Sequence, residues 1–148
     1  MPSSGRKIRS MNYTLIIQPI IKQHLIGTPL EGYERSFIQA GLDTDVDPLL
    51  AIAIGKAESQ LGNSYNKSFN DKYHNYAGMS SGGKLIVYPD WDTAITKHFQ
   101  LLKKLLAHKP ENLDMLGAVY AEDPLWPAKV ARFYNELWTE AINNGVDN

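Results

Sequence analysis

Asp47-Pro48-Leu49-Leu50-Ala51-Ile52-Ala53-Ile54-Gly55-Lys56-Ala57-Glu58-Ser59-Gln60-Leu61-Gly62 is the stretch from which the fold is read. Asp47 has the side chain of a helix N-cap, Pro48 suits the first helical turn, and Gly62 is placed to stop the helix. Between them Leu49, Leu50, Ala51, Ile52, Ala53, Ile54, Ala57 and Leu61 leave almost no polar direction. A helix that is apolar all round lies at the centre of a domain. Glu58 is the exception in it. Near the C-terminal end of a helix the macrodipole disfavours a negative charge. An ionisable group there is either turned to solvent, beside Lys56 or another base, or held in a partly dry site that favours its protonated form.

Outward from this helix the punctuation continues. Thr28-Pro29-Leu30-Glu31 has capping-box spacing and Gly41 the position of a C-cap, which predicts a helix near 29–40. Residues 13–26 predict a short helix interrupted at Pro19. Residues 63–91 are rich in Asn, Ser, Gly and Tyr and break the pattern, with Lys84-Leu85-Ile86-Val87-Tyr88 after Gly82-Gly83 as the one strand or hairpin arm. Asp90 or Asp92 caps a helix of about 92–107 whose inner side carries Ala94, Ile95, His98, Phe99, Leu102 and Leu106. A short helix is predicted at 111–121. Asp123-Pro124 opens the last one, where Val130, Phe133, Tyr134, Leu137, Trp138, Ala141 and Ile142 recur at helical spacing and Gly145 closes. The expectation is a mainly α domain with a small, reduced β excursion. Its parts are a disordered lead-in at 1–12, an N-terminal helical extension at 13–44 packing on the domain, and a domain proper at 45–145.

The chain has 148 residues, enough for one domain that buries roughly two-thirds of its unfolded surface. Hydrophobic residues make up 43% and charged residues 21%, an ordinary globular balance. A formal net charge of −1 gives no basic field for nucleic acid or an anionic membrane. The absence of cysteine excludes a disulfide framework, a thiolate metal site and a cysteine nucleophile. His24, His74, His98 and His108 have no metal-site spacing, and His24 and His108 read as surface residues. Arg6, Lys7 and Arg9 precede Leu15, Ile16, Ile17, Ile20 and Ile21, but Gln18, Pro19, Lys22 and Gln23 break that run. It therefore matches neither a secretory signal nor a membrane span.

Four segments carry a family resemblance, in order. Glu58-Ser59-Gln60-Leu61-Gly62-Asn63-Ser64 resembles the Glu-Ser-x-x-Gly-x-Ser segment of bacterial cell-wall glucosaminidases of the autolysin and flagellar-muramidase type. Asn75-Tyr76-Ala77-Gly78-Met79 is similar to their Asn-x-Phe-Gly-Ile, with Ala77 in place of the aromatic. Tyr88-Pro89-Asp90-Trp91-Asp92-Thr93-Ala94-Ile95 is similar to Tyr-x-x-Trp-x-x-Ser-Ile. Tyr120-Ala121-Glu122-Asp123-Pro124-Leu125-Trp126-Pro127-Ala128-Lys129-Val130 is similar to Tyr-Ala-x-Asp-Pro-x-Tyr-x-x-Lys-Ile, the most specific of the four. The resemblance covers about 45–142 and leaves the first 44 residues outside.

It implies a lysozyme-like fold, a helical body with a small β lobe and a groove between them. The activity implied is hydrolysis of the β-1,4 bond between N-acetylglucosamine and N-acetylmuramic acid in peptidoglycan, with no cofactor and no metal. Glu58 inherits the proton donor's role and Tyr120 a place beside it in the groove. Ser59, Asp71, Tyr73, His74, Asn75, Tyr76 and Trp91 are the candidate substrate-binding residues, with Tyr65 a further ring beside the same segment. Trp126, Phe133, Tyr134 and Trp138 read as core or helix-packing residues. A glycosidase ordinarily needs a second carboxylate, and residues 80–88 contain none. The substrate's 2-acetamido group, a flanking acid such as Asp71, or loss of catalysis with retained binding each account for that. A muramidase or lytic transglycosylase on the same fold, or a catalytically silent peptidoglycan-binding domain, are the competing readings. The partners implied are peptidoglycan glycan strands, on which a monomer acts outside the cell or at the wall, reached by export or by delivery from a phage or secretion machine.

Overall fold

A computed structural model describes residues 11–63, 72–108 and 123–146. It is mainly α. The helices are α1 (Met11–Leu25), α2 (Glu34–Thr44), α3 (Pro48–Ser59), α4 (Trp91–His108) and α5 (Trp126–Asn143). Among the described residues there is one antiparallel hairpin, of β1 (Ser80–Ser81) and β2 (Lys84–Leu85). Its register pairs Ser80 with Leu85 and Ser81 with Lys84, and Gly82 and Gly83 make the turn with φ of 59° and 78°. Two successive positive φ values are what a tight two-residue hairpin loop requires, and glycine adopts them without strain.

The central helix is α3. From Pro48 to Gly55 every residue is buried. It packs most extensively on α5, which contributes Val130, Tyr134, Leu137, Trp138 and Ala141 to the core. Asp47 is its N-cap, as the Asp-Pro pair predicted, with Oδ1 accepting from Leu49 N–H at 3.0 Å. It also does more. The carboxylate is fully buried and accepts from Tyr13 OH at 2.6 Å, Tyr134 OH at 2.7 Å and Trp138 Nε1–H at 3.3 Å. One cap thus ties α1 and α5 to the start of α3. Burial pushes its pKa up, while these donors to the charged form pull it down by less.

Several boundaries differ from expectation for identifiable reasons. α1 runs unbroken through Pro19, which lies on the exposed side. The carbonyl that loses its usual partner there, that of Leu15, belongs to an exposed residue, while Ile17, Ile20, Ile21 and Leu25 hold the other face in the core. The Thr28 and Glu31 side chains cap only a turn, and not as a reciprocal box: Thr28 Oγ1 accepts from Leu30 N–H at 3.1 Å, while Glu31 Oε1 accepts from Gly27 N–H at 2.9 Å and Thr28 N–H goes to Leu25 O. Gly32, at φ 93°, then redirects the chain, and α2 begins at Glu34. Gly41 is a buried interior residue of α2, which closes instead on left-handed Asp45. The helix predicted at 111–121 lies outside the described residues.

The end of α3 is also earlier than Gly62. Gln60, Leu61 and Gly62 are three successive left-handed residues, at φ 52°, 59° and 87°. Leu61 N–H returns to Gly55 O at 3.0 Å and its side chain covers Gly55, where a β-carbon would meet Leu61 Cδ2 at 2.8 Å. Non-glycine residues in this region cost roughly 1–2 kcal/mol each, and such strain concentrates at functional sites. Glu58 sits directly before this abrupt turn.

Candidate active site

Glu58 is half-buried on the last turn of α3. Its two oxygens have different neighbours. Oε1 accepts a 2.6 Å hydrogen bond from Trp126 Nε1–H, on the first turn of α5. Oε2 lies against Gly78: a β-carbon there would stand 2.5 Å from Oε2 and 3.1 Å from Cδ. Desolvation raises the Glu58 pKa, and the nearby Asp123 adds to it, while the Trp126 N–H and the Lys129 charge work in the opposite direction. The first effect is the largest. A carboxyl poised to hold a proton above the ordinary carboxylate range is suited to general acid catalysis.

Each neighbour of Glu58 is positioned by the local sequence. Asp123 accepts from Leu125 N–H at 2.8 Å with its side chain and from Trp126 N–H at 3.1 Å with its carbonyl, so the Asp-Pro start of α5 sets the indole's place. Lys129, one turn on, pairs with Asp123 at 3.2 Å. Gly78 is set by Asn75. The Asn75 amide donates to Met79 O at 2.8 Å and Ile86 O at 2.9 Å, and its oxygen accepts from Met79 N–H at 2.9 Å. This clamps the loop between α3 and the hairpin, with Gly78 at φ 67° facing the carboxyl.

The remaining candidates separate by burial. Ser59, only 1% exposed, donates to Tyr76 O at 2.5 Å and accepts from Gly62 N–H at 2.8 Å, fastening the loop to the end of α3. Asn75 is spent on the loop. Tyr76 is fully buried, its ring edge-on to Phe37 and its hydroxyl 2.6 Å from His98 Nδ1. Trp91 is buried at the start of α4, packed over Gly62 and edge-on to His74. Ser59, Asn75, Tyr76 and Trp91 are therefore buried side chains, and the polar partners of Ser59 and Asn75 are backbone groups. Tyr73 and His74 are partly exposed. His74 carries a left-handed backbone (φ 46°) and places Nδ1 2.9 Å from Tyr88 O. Tyr120, Asp71 and Tyr65 lie outside the described residues.

Lys56 does not pair with Glu58. Its ammonium donates to His24 Nδ1 at 2.7 Å, and His24 Nε2 meets Glu140 at 2.7 Å, on the face of α3 that looks toward α1 and α5. His24 is accordingly a bridging residue rather than a surface one. Trp126 is the functional neighbour that sequence reasoning assigned to packing. It is packed, at 3% exposure, yet its indole nitrogen reaches the carboxyl. Its signal was positional: it occupies the aromatic place of the Asp-Pro-x-aromatic motif. Among the described residues no group of three or more His, Cys, Asp or Glu side chains is arranged to hold a metal, and no helix is long and apolar enough to cross a membrane.

The fold and the site together define a lysozyme-like, mainly α domain with a half-buried glutamate closing its central helix. A family model described as glucosaminidase, mannosyl-glycoprotein endo-beta-N-acetylglucosaminidase, matches residues 34–139, and the chain belongs to that family. The match begins at the start of α2, within the stretch that the motif resemblance left outside. No curated protein matches the chain.

Proposed function

We propose that the protein is an endo-β-N-acetylglucosaminidase of bacterial peptidoglycan, hydrolysing the β-1,4 bond between N-acetylglucosamine and N-acetylmuramic acid with Glu58 as general acid. The carrying observation is the Glu58 carboxyl itself, half-buried, desolvated and held by one N–H donor. The family supports a glycosidase in general, and a glycan containing N-acetylglucosamine as its substrate class. In this reading the protonated carboxyl delivers its hydrogen to the glycosidic oxygen as the bond to the anomeric carbon breaks. Removing such a group typically costs a factor of about 100 to 10,000 in rate. No acid occurs in 80–88 to act as a second carboxylate. The substrate's 2-acetamido group fills that role most economically, with Asp71 as the flanking alternative. The protein acts on glycan strands at the cell wall or outside the cell.

Reducing-end analysis of digested peptidoglycan tests the bond. New N-acetylglucosamine reducing ends are expected. Muramic acid ends, or anhydro-muramic products, would instead assign a muramidase or a lytic transglycosylase. Cleavage of a mannosyl glycoprotein with peptidoglycan left intact would move the substrate away from the wall.

A further inference from the structure

The two oxygens of Glu58 are not equivalent. Oε1 faces the Trp126 indole nitrogen at 2.6 Å, whereas Oε2 occupies the space that a side chain on residue 78 would fill. An indole nitrogen has one hydrogen and no lone pair to accept with, so it is only ever a donor. An oxygen that close to a fixed donor is an acceptor and has no room for a hydrogen of its own along that line. We propose that Trp126 is a positioning residue that fixes Oε1 as a permanent acceptor, so that the transferable proton of Glu58 resides on Oε2, the oxygen that faces Gly78.

The proposal deepens the assignment of Glu58 as the acid and rests on it. In the step itself, the proton passes from Oε2 to the glycosidic oxygen, which keeps the electron pair of the breaking C1–O bond. Water supplies the oxygen that completes C1, and its remaining proton restores Glu58. As the proton leaves, the carboxyl becomes an anion while the indole N–H stays in place. A hydrogen bond to an ionised acceptor is roughly twice as strong as one between neutral groups. Trp126 therefore binds the transition state more tightly than the ground state, which is the condition for accelerating the step. Its own rigidity follows from burial and from the backbone bond of Trp126 to Asp123 on the first turn of α5.

The experiment is a Trp126→Phe substitution, which keeps an aromatic ring and removes the N–H. Two readouts need no activity. The side-chain carboxyl carbon of Glu58, followed by carbon NMR in isotopically labelled protein, is expected to titrate at a higher pH in the variant than in the wild type. In the wild-type protein the Trp126 indole N–H resonance is expected to shift with the Glu58 midpoint, and to stay flat in Glu58→Gln. On peptidoglycan, kcat is expected to fall roughly 10- to 100-fold with KM nearly unchanged, and the alkaline limb of the pH profile to move up with the carboxyl. An indole resonance that ignores the Glu58 titration overturns the proposal, even where the Phe variant fails to fold. So does a folded Phe variant with unchanged kcat. Co-titration in a protein that cleaves no glycan keeps the proton placement and removes the assigned function.

Discussion

Gly78→Ala puts the close approach of the backbone to Glu58 under direct test. The added β-carbon would stand 2.5 Å from Glu58 Oε2, whereas ordinary contact begins near 3.4 Å, so the carboxyl must retreat by roughly 0.9 Å. It has little freedom to do so, because Oε1 is anchored on Trp126 at 2.6 Å. A catalytic group displaced by about 1 Å loses on the order of 100-fold in rate. The stability cost is separate and smaller. Alanine at φ 67° pays about 1–2 kcal/mol of left-handed strain, partly offset by the lower entropy of its unfolded chain. For a domain of this size that lowers Tm by only a few degrees. The assay pairs clearing of purified cell walls with a thermal melt, at a temperature well below both melting points. The expected outcome is a rate reduced about 100-fold in a protein that remains folded. A variant that clears walls within about twofold of the wild-type rate would falsify the placement of Gly78 against the acid.

Other consequences follow from buried groups. Asp47→Ala removes the acceptor shared by Tyr13, Tyr134 and Trp138 and the cap of α3. With the relief of the carboxylate's own desolvation counted against these losses, a destabilisation of about 3 kcal/mol is expected, read from the denaturant midpoint. Ser59→Ala is expected to cost about 1–3 kcal/mol of stability with KM unchanged, and a raised KM at full stability would instead place the hydroxyl on substrate. His98 is fully buried and desolvation lowers its pKa to about 3, below the 6.5 of an exposed imidazole. The unfolded chain therefore binds the proton first. The stability that the neutral ring contributes is complete above about pH 6.5 and is lost progressively as the pH falls toward about 3. Across that window His98→Gln, which has no such charge to gain, should melt with a flatter pH dependence than the wild type.

The central helix was legible because its signals agree: an Asp-Pro start, an unbroken apolar body and one misplaced acid. Turn chemistry was less so. The Thr28 and Glu31 side chains find backbone N–H partners whether a helix or a single turn follows, and Gly32 decides between them. Pro19 was read as an interruption because sequence does not tell which face of α1 meets water. The same ambiguity governs the site. Ser59, Asn75, Tyr76 and Trp91 lie in the right segments, but a polar side chain does not announce whether its partner is a backbone carbonyl or a ligand. Here the partners of Ser59 and Asn75 are backbone. Conversely, the Trp126 ring looks like core by burial and packing, and its nitrogen's direction brings it to Glu58.

In the proposed mechanism Glu58 delivers a proton to a glycosidic oxygen. Wall clearing by the purified protein, measured beside Glu58→Gln across pH, tests it most directly. Glutamine keeps an acceptor for Trp126 and the shape of the side chain but has no acidic proton. Clearing by the wild type is expected to decline as the pH rises through the raised Glu58 pKa, with a loss of about 100- to 10,000-fold in the variant. Equal clearing by the two proteins, at any pH, would contradict it.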